Sequence, residues 1–347
     1  ASPPLRVPAS PPLRVPASPP LRVSASPRPR VFSISHFPNN MSDRTLTPFP
    51  PHLGCQRDWA WRGWQIRYTF IRARKANPHA PPILLLHGFG SSLGQWRSNL
   101  QALSQRHTVY ALDFLGFGGS QKASERYNVQ LWADLVKDFW ACFIQKPTAI
   151  VAHSLGALVA LTATSDRPEI ASHLAFLTLP DAQPNQAPAF ARSLERLFAS
   201  PLLLAPFFRF VRRPQLLRSV LQKIYRRPEL VDDELVALFS TPPRDRGALE
   251  VFCRLARSRS DTEDYSPKSV KTMLPALTIP VLLIWGNDDR IVPLSGFCKL
   301  LGIRDLTALP GNCQFVGVEN AGHCAYDEDP ELVNRSLLEW IASNPCS

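Results

Sequence analysis

Short apolar runs that alternate with helical patterns restrict the fold of this chain more than any other feature. Runs such as 83–86 and 281–284 carry no polar side chain, which is typical of central parallel strands covered on both faces. Helical periodicity lies between such runs, as at 129–145 and 155–164. This alternation predicts an α/β fold with a mostly parallel, doubly wound sheet. The predicted strands are 65–72, 83–87, 108–113, 148–152, 173–179, 281–285 and 314–318.

One segment, residues 185–275, interrupts the alternation. It is rich in Leu, Phe, Arg and Pro, contains no run that predicts a strand, and lies between the strands at 173–179 and 281–285. We interpret it as a helical cap laid over one end of the sheet. The chain then divides into a first core part at 41–184, the cap, and a second core part at 276–347.

Residues 1–40 differ from the rest of the chain in composition. The eight-residue unit ASPPLRVP repeats there, and 11 of the 35 prolines lie in it. Such proline density prevents a packed core, so we expect this segment to be disordered. It has the composition of an organelle transit peptide, which would imply a plastid protein, or of a proline-rich docking arm. We favour a third interpretation, in which the segment is not part of the native protein and translation starts at Met41.

Charge and cysteine usage exclude several classes of protein. The net charge is +11, and five arginines in residues 1–40 account for +5 of it, so we expect no nucleic-acid partner. The seven cysteines are scattered and show no metal-site spacing, so we expect no metal and no cofactor. Reduced thiols fit a cytoplasmic protein. No apolar run reaches the roughly 18 residues that a membrane span needs.

A serine at the junction of a predicted strand and helix carries the first chemical signal. The strand ends at Ala152, and Ser154 follows just before the apolar helix. This pattern is the nucleophile elbow, with Ala152 in place of the first glycine of G-x-S-x-G. Small residues at Ala152 and Gly156 leave room for the sharp turn. We predict Ser154 as the nucleophile; the alternative is a strand–helix junction without chemistry.

Acyl transfer also needs two backbone N–H groups around the developing oxyanion. Leu155, which follows the nucleophile, is one candidate. Phe89 is the other, because it lies in the glycine-flanked turn His87-Gly88-Phe89-Gly90 after a predicted strand. We expect His87 to hold this loop by hydrogen bonds and not to act as the base.

The acid and the base are predicted from the ends of the last two strands. Asp288 and Asp289 both follow the strand at 281–285, directly after the cap, and both are candidates. We favour Asp289, three residues after Gly286. His323 follows the strand at 314–318 and is the one histidine in the C-terminal half. The order Ser…Asp…His is the order of α/β-hydrolases.

The motifs HGFG, DFLGFGGS, AHSLG, WGNDDRIVP and AGH resemble the α/β-hydrolase superfamily across roughly residues 60–343. A serine at the elbow separates this chain from epoxide hydrolases and haloalkane dehalogenases, which carry an aspartate there. Within the superfamily, residues 87–90 with Trp96, 110–116 and 321–334 resemble cyanobacterial and plastid hydrolases that include pheophytinase, which removes the phytol ester from pheophytin. This resemblance implies a lipophilic ester substrate. We assign Trp96 and His153, the latter in place of an expected Asn, to the substrate pocket.

We therefore predict a serine hydrolase that acts on a small-molecule carboxylic ester through Ser154, Asp289 and His323. A carbon–carbon bond hydrolase or an acyltransferase of the same fold is an alternative, and a non-catalytic binding protein is another. Residues 192–227 contain nine basic residues and one acid, interleaved with apolar residues. Contact of the cap with an anionic membrane surface is one interpretation. We favour the other, an ordinary cap with solvated arginines.

Overall fold

The computed structural model describes residues 51–345, apart from 76, 182–203, 207, 210–211 and 261–267. The predicted disorder of residues 1–40 and the N-terminal part of the predicted cap lie outside the described residues. No helix among the described residues has both the length and the apolar character that crossing a membrane requires.

An eight-stranded sheet forms the centre of the protein, with strand order β1-β2-β4-β3-β5-β6-β7-β8. Neighbours from β4 to β8 pair in parallel, whereas β2 pairs antiparallel with β1 and β4. The α/β-hydrolase fold is thereby confirmed, and each of the seven predicted strands lies within two residues of its expected bounds. The strands are β1 Cys55–Trp61, β2 Trp64–Ile71, β3 Ile83–Leu86, β4 Val109–Leu112, β5 Thr148–His153, β6 Ala171–Leu177, β7 Val281–Gly286 and β8 Cys313–Val318.

The edge strand β1 was not among the predicted strands. It pairs with β2 through a two-residue turn in which Arg62 (φ 49°) and Gly63 (φ 84°) both have positive φ, the geometry of a type I′ hairpin turn. The signal was present, because Trp59 and Trp61 alternate with polar or small residues before a glycine.

Alternate residues of β3 show why the central strands are apolar throughout. Leu84 and Leu86 belong to a core on one face of the sheet, and Ile83 and Leu85 belong to a second core on the other face. Both faces are therefore dry, as doubly wound sheets require. The helices of the described residues are α1 Leu100–Leu103, α2 Val129–Phe143, α3 Leu155–Asp166, α4 Pro214–Ile224, α5 Asp233–Ser240, α6 Ala248–Ser260, α7 Val270–Met273, α8 Leu294–Leu301, α9 Ala325–Glu328 and α10 Pro330–Ser343.

Helices α4, α5, α6 and α7 lie between β6 and β7, within the segment that we predicted to be a cap. The described part of this segment contains helices and no strand. Helix α4 begins at Pro214, which suits the first turn of a helix because proline has no N–H to leave unpaired. We refer to α4–α6 as the inserted helices.

Candidate active site

The candidate residues lie in loops at the carboxyl ends of β3, β5, β7 and β8. Parallel strands bring these ends to one edge of the sheet, where α/β proteins bind their ligands. The loop after β3 carries Phe89, that after β5 carries Ser154, and those after β7 and β8 carry Asp289 and His323. The topology thus brings together side chains that are far apart in sequence.

Ser154 occupies a strained turn between β5 and α3. Its φ of 52° and ψ of −117° lie outside the regions that non-glycine residues favour, and such strain concentrates at functional sites. Its backbone N–H donates to the carbonyl oxygens of Leu177 and Thr178, both at 3.1 Å. A Cβ on Gly156 would lie 2.6 Å from the carbonyl oxygens of Leu86 and His87. Only a glycine therefore lets α3 approach the end of β3 this closely.

Asp289 and His323 form a direct hydrogen bond. His323 Nδ1 lies 2.9 Å from Asp289 Oδ2, and both side chains are buried. The same carboxylate oxygen accepts from the Thr178 hydroxyl at 3.1 Å, and Oδ1 accepts from the backbone N–H groups of Ile291 at 2.8 Å and Val292 at 2.9 Å. Four donors therefore fix the orientation of this carboxylate.

Asp288, the alternative acid, faces away from the histidine. Its Oδ2 accepts from Arg226 Nε at 3.0 Å in a partly exposed ion pair. The structure therefore brings Asp289, and not Asp288, to His323.

His153 connects the elbow to the loop that carries His323. His153 Nε2 lies 3.0 Å from the carbonyl oxygen of His323, and the two ring centroids are 4.7 Å apart. Among the described residues no hydrogen bond joins Ser154 Oγ to His323. Catalytic hydrogen bonds are often long before substrate binds, and the contact between Ser154 and His323 stays a prediction.

The turn after β3 lies against the elbow. A Cβ on Gly88 would be 3.4 Å from the Cβ of Ser154. The backbone N–H groups of Phe89 and Leu155 donate to no other group in the described part of the chain. Both predicted oxyanion donors are therefore available to a ligand.

His87 fixes the turn after β3 through hydrogen bonds of both ring nitrogens. Because a carbonyl oxygen only accepts, His87 Nδ1–H donates to Gly88 O at 2.8 Å, and Nε2 accepts from the Phe114 N–H at 3.0 Å. Burial lowers the pKa of His87 to about 4, so the ring is neutral at physiological pH. These contacts agree with the expectation that His87 is a support and not the base.

Gln95 is a second support that the sequence analysis missed. Its Oε1 accepts from the Gly88 N–H at 3.0 Å, next to Phe89. The residue lies in a short 3₁₀ helix, Leu93–Trp96, that the Ser92 side chain caps. A single glutamine in such a turn carries no chemical pattern, so the contact was not predictable.

Trp96 and His153, which we predicted to line the substrate pocket, are both buried. Trp96 lies in the core with its ring 5.1 Å from that of Tyr326. Burial lowers the pKa of His153 well below its ordinary value, so its ring is neutral, and its Nδ1 has no partner among the described residues. Neither side chain reaches the walls of the cavity that Phe89 lines.

That cavity has a volume of about 310 Å³ and lies between the loops after β3 and β4 and the inserted helices. Its lining includes Phe89 but not Ser154, Asp289 or His323. Its walls are mainly apolar, and one of them is Phe89, whose side chain is 42% exposed. The other apolar side chains are Phe117, Phe208, Leu217, Val220, Leu221, Ile224, Phe239, Pro242, Pro243, Ala248, Val251, Phe252 and Leu255. Such a cavity suits an apolar group attached to a reacting centre near Phe89.

Lys122, at the wall of this cavity, joins the core to the insertion. Its Nζ donates to the carbonyl oxygens of Gly118 at 2.7 Å and Ser120 at 2.9 Å, and to Asp245 Oδ2 at 3.1 Å. These contacts tie the ammonium group both to the loop after β4 and to Asp245, so Lys122 links the core to the insertion.

Ion pairs neutralise part of the positive charge that the sequence places in residues 192–227. Arg218 pairs with Asp233, Arg226 with Asp288, and Arg227 Nε lies 3.7 Å from Glu229 Oε1. These acids lie outside the window that the sequence analysis counted, and the structure brings them to the arginines. Contact with an anionic membrane stays a prediction, with less net charge to support it.

This chain is similar to known proteins of one family. The model of the alpha/beta hydrolase fold family matches residues 81–330. The uncharacterized hydrolase YugF of Bacillus subtilis (strain 168) is 27% identical over 271 residues, 76% of this chain and 91% of its own. Monoacylglycerol lipase ABHD6 of Homo sapiens is 24% identical over 305 residues, 82% of this chain and 85% of its own. A crystal structure of a bacterial membrane phospholipase A matches with a TM-score of 0.64 at 23% identity, over 85% of this chain and 88% of the other. An epoxide hydrolase of Xenopus tropicalis and an esterase of Thermogutta terrifontis also match.

Proposed function

Because this chain belongs to the alpha/beta hydrolase fold family, we propose that it is a serine hydrolase that cleaves a carboxylic ester with an apolar chain. The observation that carries the proposal is the 2.9 Å hydrogen bond between His323 and Asp289. It lies at the carboxyl ends of the parallel strands, where Ser154 directly precedes α3 in a strained conformation. A base held by a buried acid near an elbow serine is the arrangement that activates a hydroxyl nucleophile.

In the proposed reaction, His323 Nε2 takes the proton of Ser154 Oγ as that oxygen attacks the ester carbonyl carbon. The carbonyl oxygen becomes an oxyanion and accepts hydrogen bonds from the N–H groups of Phe89 and Leu155. His323 then gives its proton to the leaving alkoxide, and an acyl-enzyme remains. Water, deprotonated by His323, attacks this acyl group; the bond to Ser154 Oγ then breaks, His323 returns the proton to that oxygen, and the acid is released. Asp289 orients the imidazole and stabilises its cationic form.

The cavity supports an apolar chain of limited length. Its volume of about 310 Å³ lies at the lower end of the range of ligand pockets, roughly 300–1,000 Å³. A pocket of this size suits a short or medium-length apolar chain, and we favour such an ester over the phytyl ester that the resemblance implies.

The competing functions fall into two groups: catalysts that need Ser154 as the nucleophile, and a binding protein that does not. A carbon–carbon bond hydrolase or an acyltransferase would use the same nucleophile, whereas a binding protein would not need it. An epoxide hydrolase uses an aspartate at the elbow, and here the residue is a serine. Covalent labelling of Ser154 thus separates catalysts from binding proteins, and product analysis separates the catalysts from one another.

A fluorophosphonate probe tests the proposal, because it reacts with activated serine hydroxyls. We expect stoichiometric labelling of the native protein and none of Ser154→Ala. Ser219→Ala, an exposed serine on α4, is the matched control and should label normally. p-Nitrophenyl esters from acetate to palmitate then measure chain-length preference. A native protein that neither labels nor hydrolyses any ester would refute the proposal.

A further inference from the structure

The segment that ends α4 contacts both loops that carry the proposed base and acid. A Cβ on Gly322, next to His323, would lie 2.8 Å from the carbonyl oxygen of Ile224 and 3.2 Å from the N–H nitrogen of Arg226. The Arg226 side chain pairs with Asp288, next to Asp289. The insertion is thus packed directly against the residues that precede the acid and the base.

Glu328, the last residue of α9, makes this junction with its carboxylate. Oε1 accepts from the Gly322 N–H at 2.8 Å. Oε2 accepts from the N–H groups of Arg226 at 2.7 Å and Arg227 at 2.9 Å. The side chain is buried, with 1% of the residue exposed. One carboxylate therefore satisfies three backbone donors, two in the insertion and one in the His323 loop.

We propose that Glu328 is a positioning residue that sets the location of His323 by binding Gly322 on one oxygen and the insertion on the other. This inference rests on the proposed function, in which His323 is the base. As a consequence, His323 holds its position only when the N–H groups of residues 226–227 are bound to Glu328. A displacement of the segment that borders the apolar cavity would therefore also displace His323.

The chemistry of the carboxylate explains why glutamate is needed. A carboxylate accepts on both oxygens, whereas a glutamine of the same shape has one acceptor and one NH₂ donor. In Glu328→Gln the NH₂ group must face either Gly322 N–H or the N–H pair of Arg226 and Arg227. A donor then opposes a donor, and one side of the junction opens.

A second contact holds the same segment without involving Gly322. The Tyr225 hydroxyl donates to Asp327 Oδ2 at 3.0 Å, and that carboxylate also accepts from Arg97 Nε and Nη2, both at 3.1 Å. Loss of this contact loosens the insertion but leaves the bond to Gly322 in place. Tyr225→Phe therefore separates general loosening from displacement of His323.

The experiment compares native protein, Glu328→Gln, Tyr225→Phe and Glu331→Gln, an exposed glutamate in the first turn of α10. We measure the rate constant of fluorophosphonate labelling, the low-field proton resonance of the His323–Asp289 hydrogen bond, and thermal unfolding. A misplacement of the base by about 1 Å costs on the order of 100-fold in rate. We expect that loss, with a weakened resonance, in Glu328→Gln, and changes below about threefold in the other two variants.

Two results would overturn the inference. One is a folded Glu328→Gln protein with the native labelling rate and resonance. The other is an equal loss in Tyr225→Phe, because general loosening would then explain the effect. If native protein does not label at all, the proposed function fails. The proton resonance, compared across the same variants, then tests by itself whether Glu328 positions His323.

Discussion

His153 and His323 are joined by a hydrogen bond from ring to backbone. His153 Nε2–H donates to the carbonyl oxygen of His323 at 3.0 Å, and the rings lie 4.7 Å apart. His153 directly precedes Ser154, so the residue before the nucleophile holds the main chain of the base. The elbow and the base loop are therefore linked independently of the Ser154 hydroxyl.

Replacing His153 by phenylalanine should keep the ring packing and remove this bond. We expect kcat on a short-chain ester to fall by about tenfold, because a small displacement of a base is costly. Unfolding free energy should fall by about 1 kcal/mol, the net value of one hydrogen bond. The pH dependence of the rate should not change, since burial lowers the pKa of His153 well below its ordinary value. Steady-state kinetics and urea unfolding provide the check, and an unchanged kcat would contradict the linkage.

Asp289→Asn should abolish most of the activity, and Asp288→Asn should not. A neutral amide in place of the Asp289 carboxylate cannot stabilise the cationic imidazole, and a loss on the order of 10⁴-fold in kcat is expected for this change in a serine triad. Asp288 makes a partly exposed pair with Arg226, and such pairs contribute about 0–1 kcal/mol. Ester hydrolysis by the two matched variants decides between the neighbouring acids, and similar losses in both would count against the assignment.

Ala248→Phe should shorten the chain that the enzyme accepts. Ala248 begins α6 and is buried in the wall of the 310 Å³ cavity, so a phenyl ring there fills volume that the proposed chain needs. We expect the ratio of kcat/KM for decanoate to that for acetate to fall by about tenfold or more, since each buried CH₂ contributes about 0.8 kcal/mol. Ala342→Phe, on the exposed face of α10, is the control. An unaltered ratio would exclude this cavity as the chain site.

Burial of His87 should make the fold sensitive to acid. The pKa of an ordinary histidine, as in the unfolded chain, is 6.5, and burial lowers the pKa of His87 in the folded protein to about 4. As pH falls, the unfolded chain therefore takes up the proton at His87 before the folded protein does. The stability that depends on neutral His87 is complete above pH 6.5 and is lost as pH falls towards 4. Between about pH 8 and about pH 5 we expect a loss of about 2 kcal/mol from this residue.

Urea unfolding of native protein and His87→Gln at these two pH values tests this expectation. Other buried histidines titrate in both proteins and cancel in the difference. The advantage of native protein over the variant should therefore shrink on acidification. A difference that stays constant or grows would show that His87 does not titrate as its burial implies.

Local pattern was sufficient to predict seven of the eight strands and to propose which residues carry the chemistry. The apolar run at 83–86 predicts a buried strand because both faces of such a strand are covered, and periodicity of this kind is visible within a few residues. The elbow around Ser154 is readable for the same reason, since small residues and a strand–helix switch occur within ten positions. The edge strand β1 was missed because residues 55–58 contain no alternation of apolar and polar side chains, so that only Trp59 and Trp61 indicate a strand.

Only the tertiary structure brings Asp289, and not Asp288, to His323, and only it shows the contacts of Glu328 and Gln95 with backbone N–H groups. The sequence by itself determined the alternation of strands and helices, the position of the elbow, and the order of serine, acid and histidine. Contacts such as that of Glu328 with Arg226 join residues 102 positions apart and leave no periodicity in the sequence. They depend on which donors the packed chain brings within about 3 Å of a buried acceptor, and that distance exists only after folding.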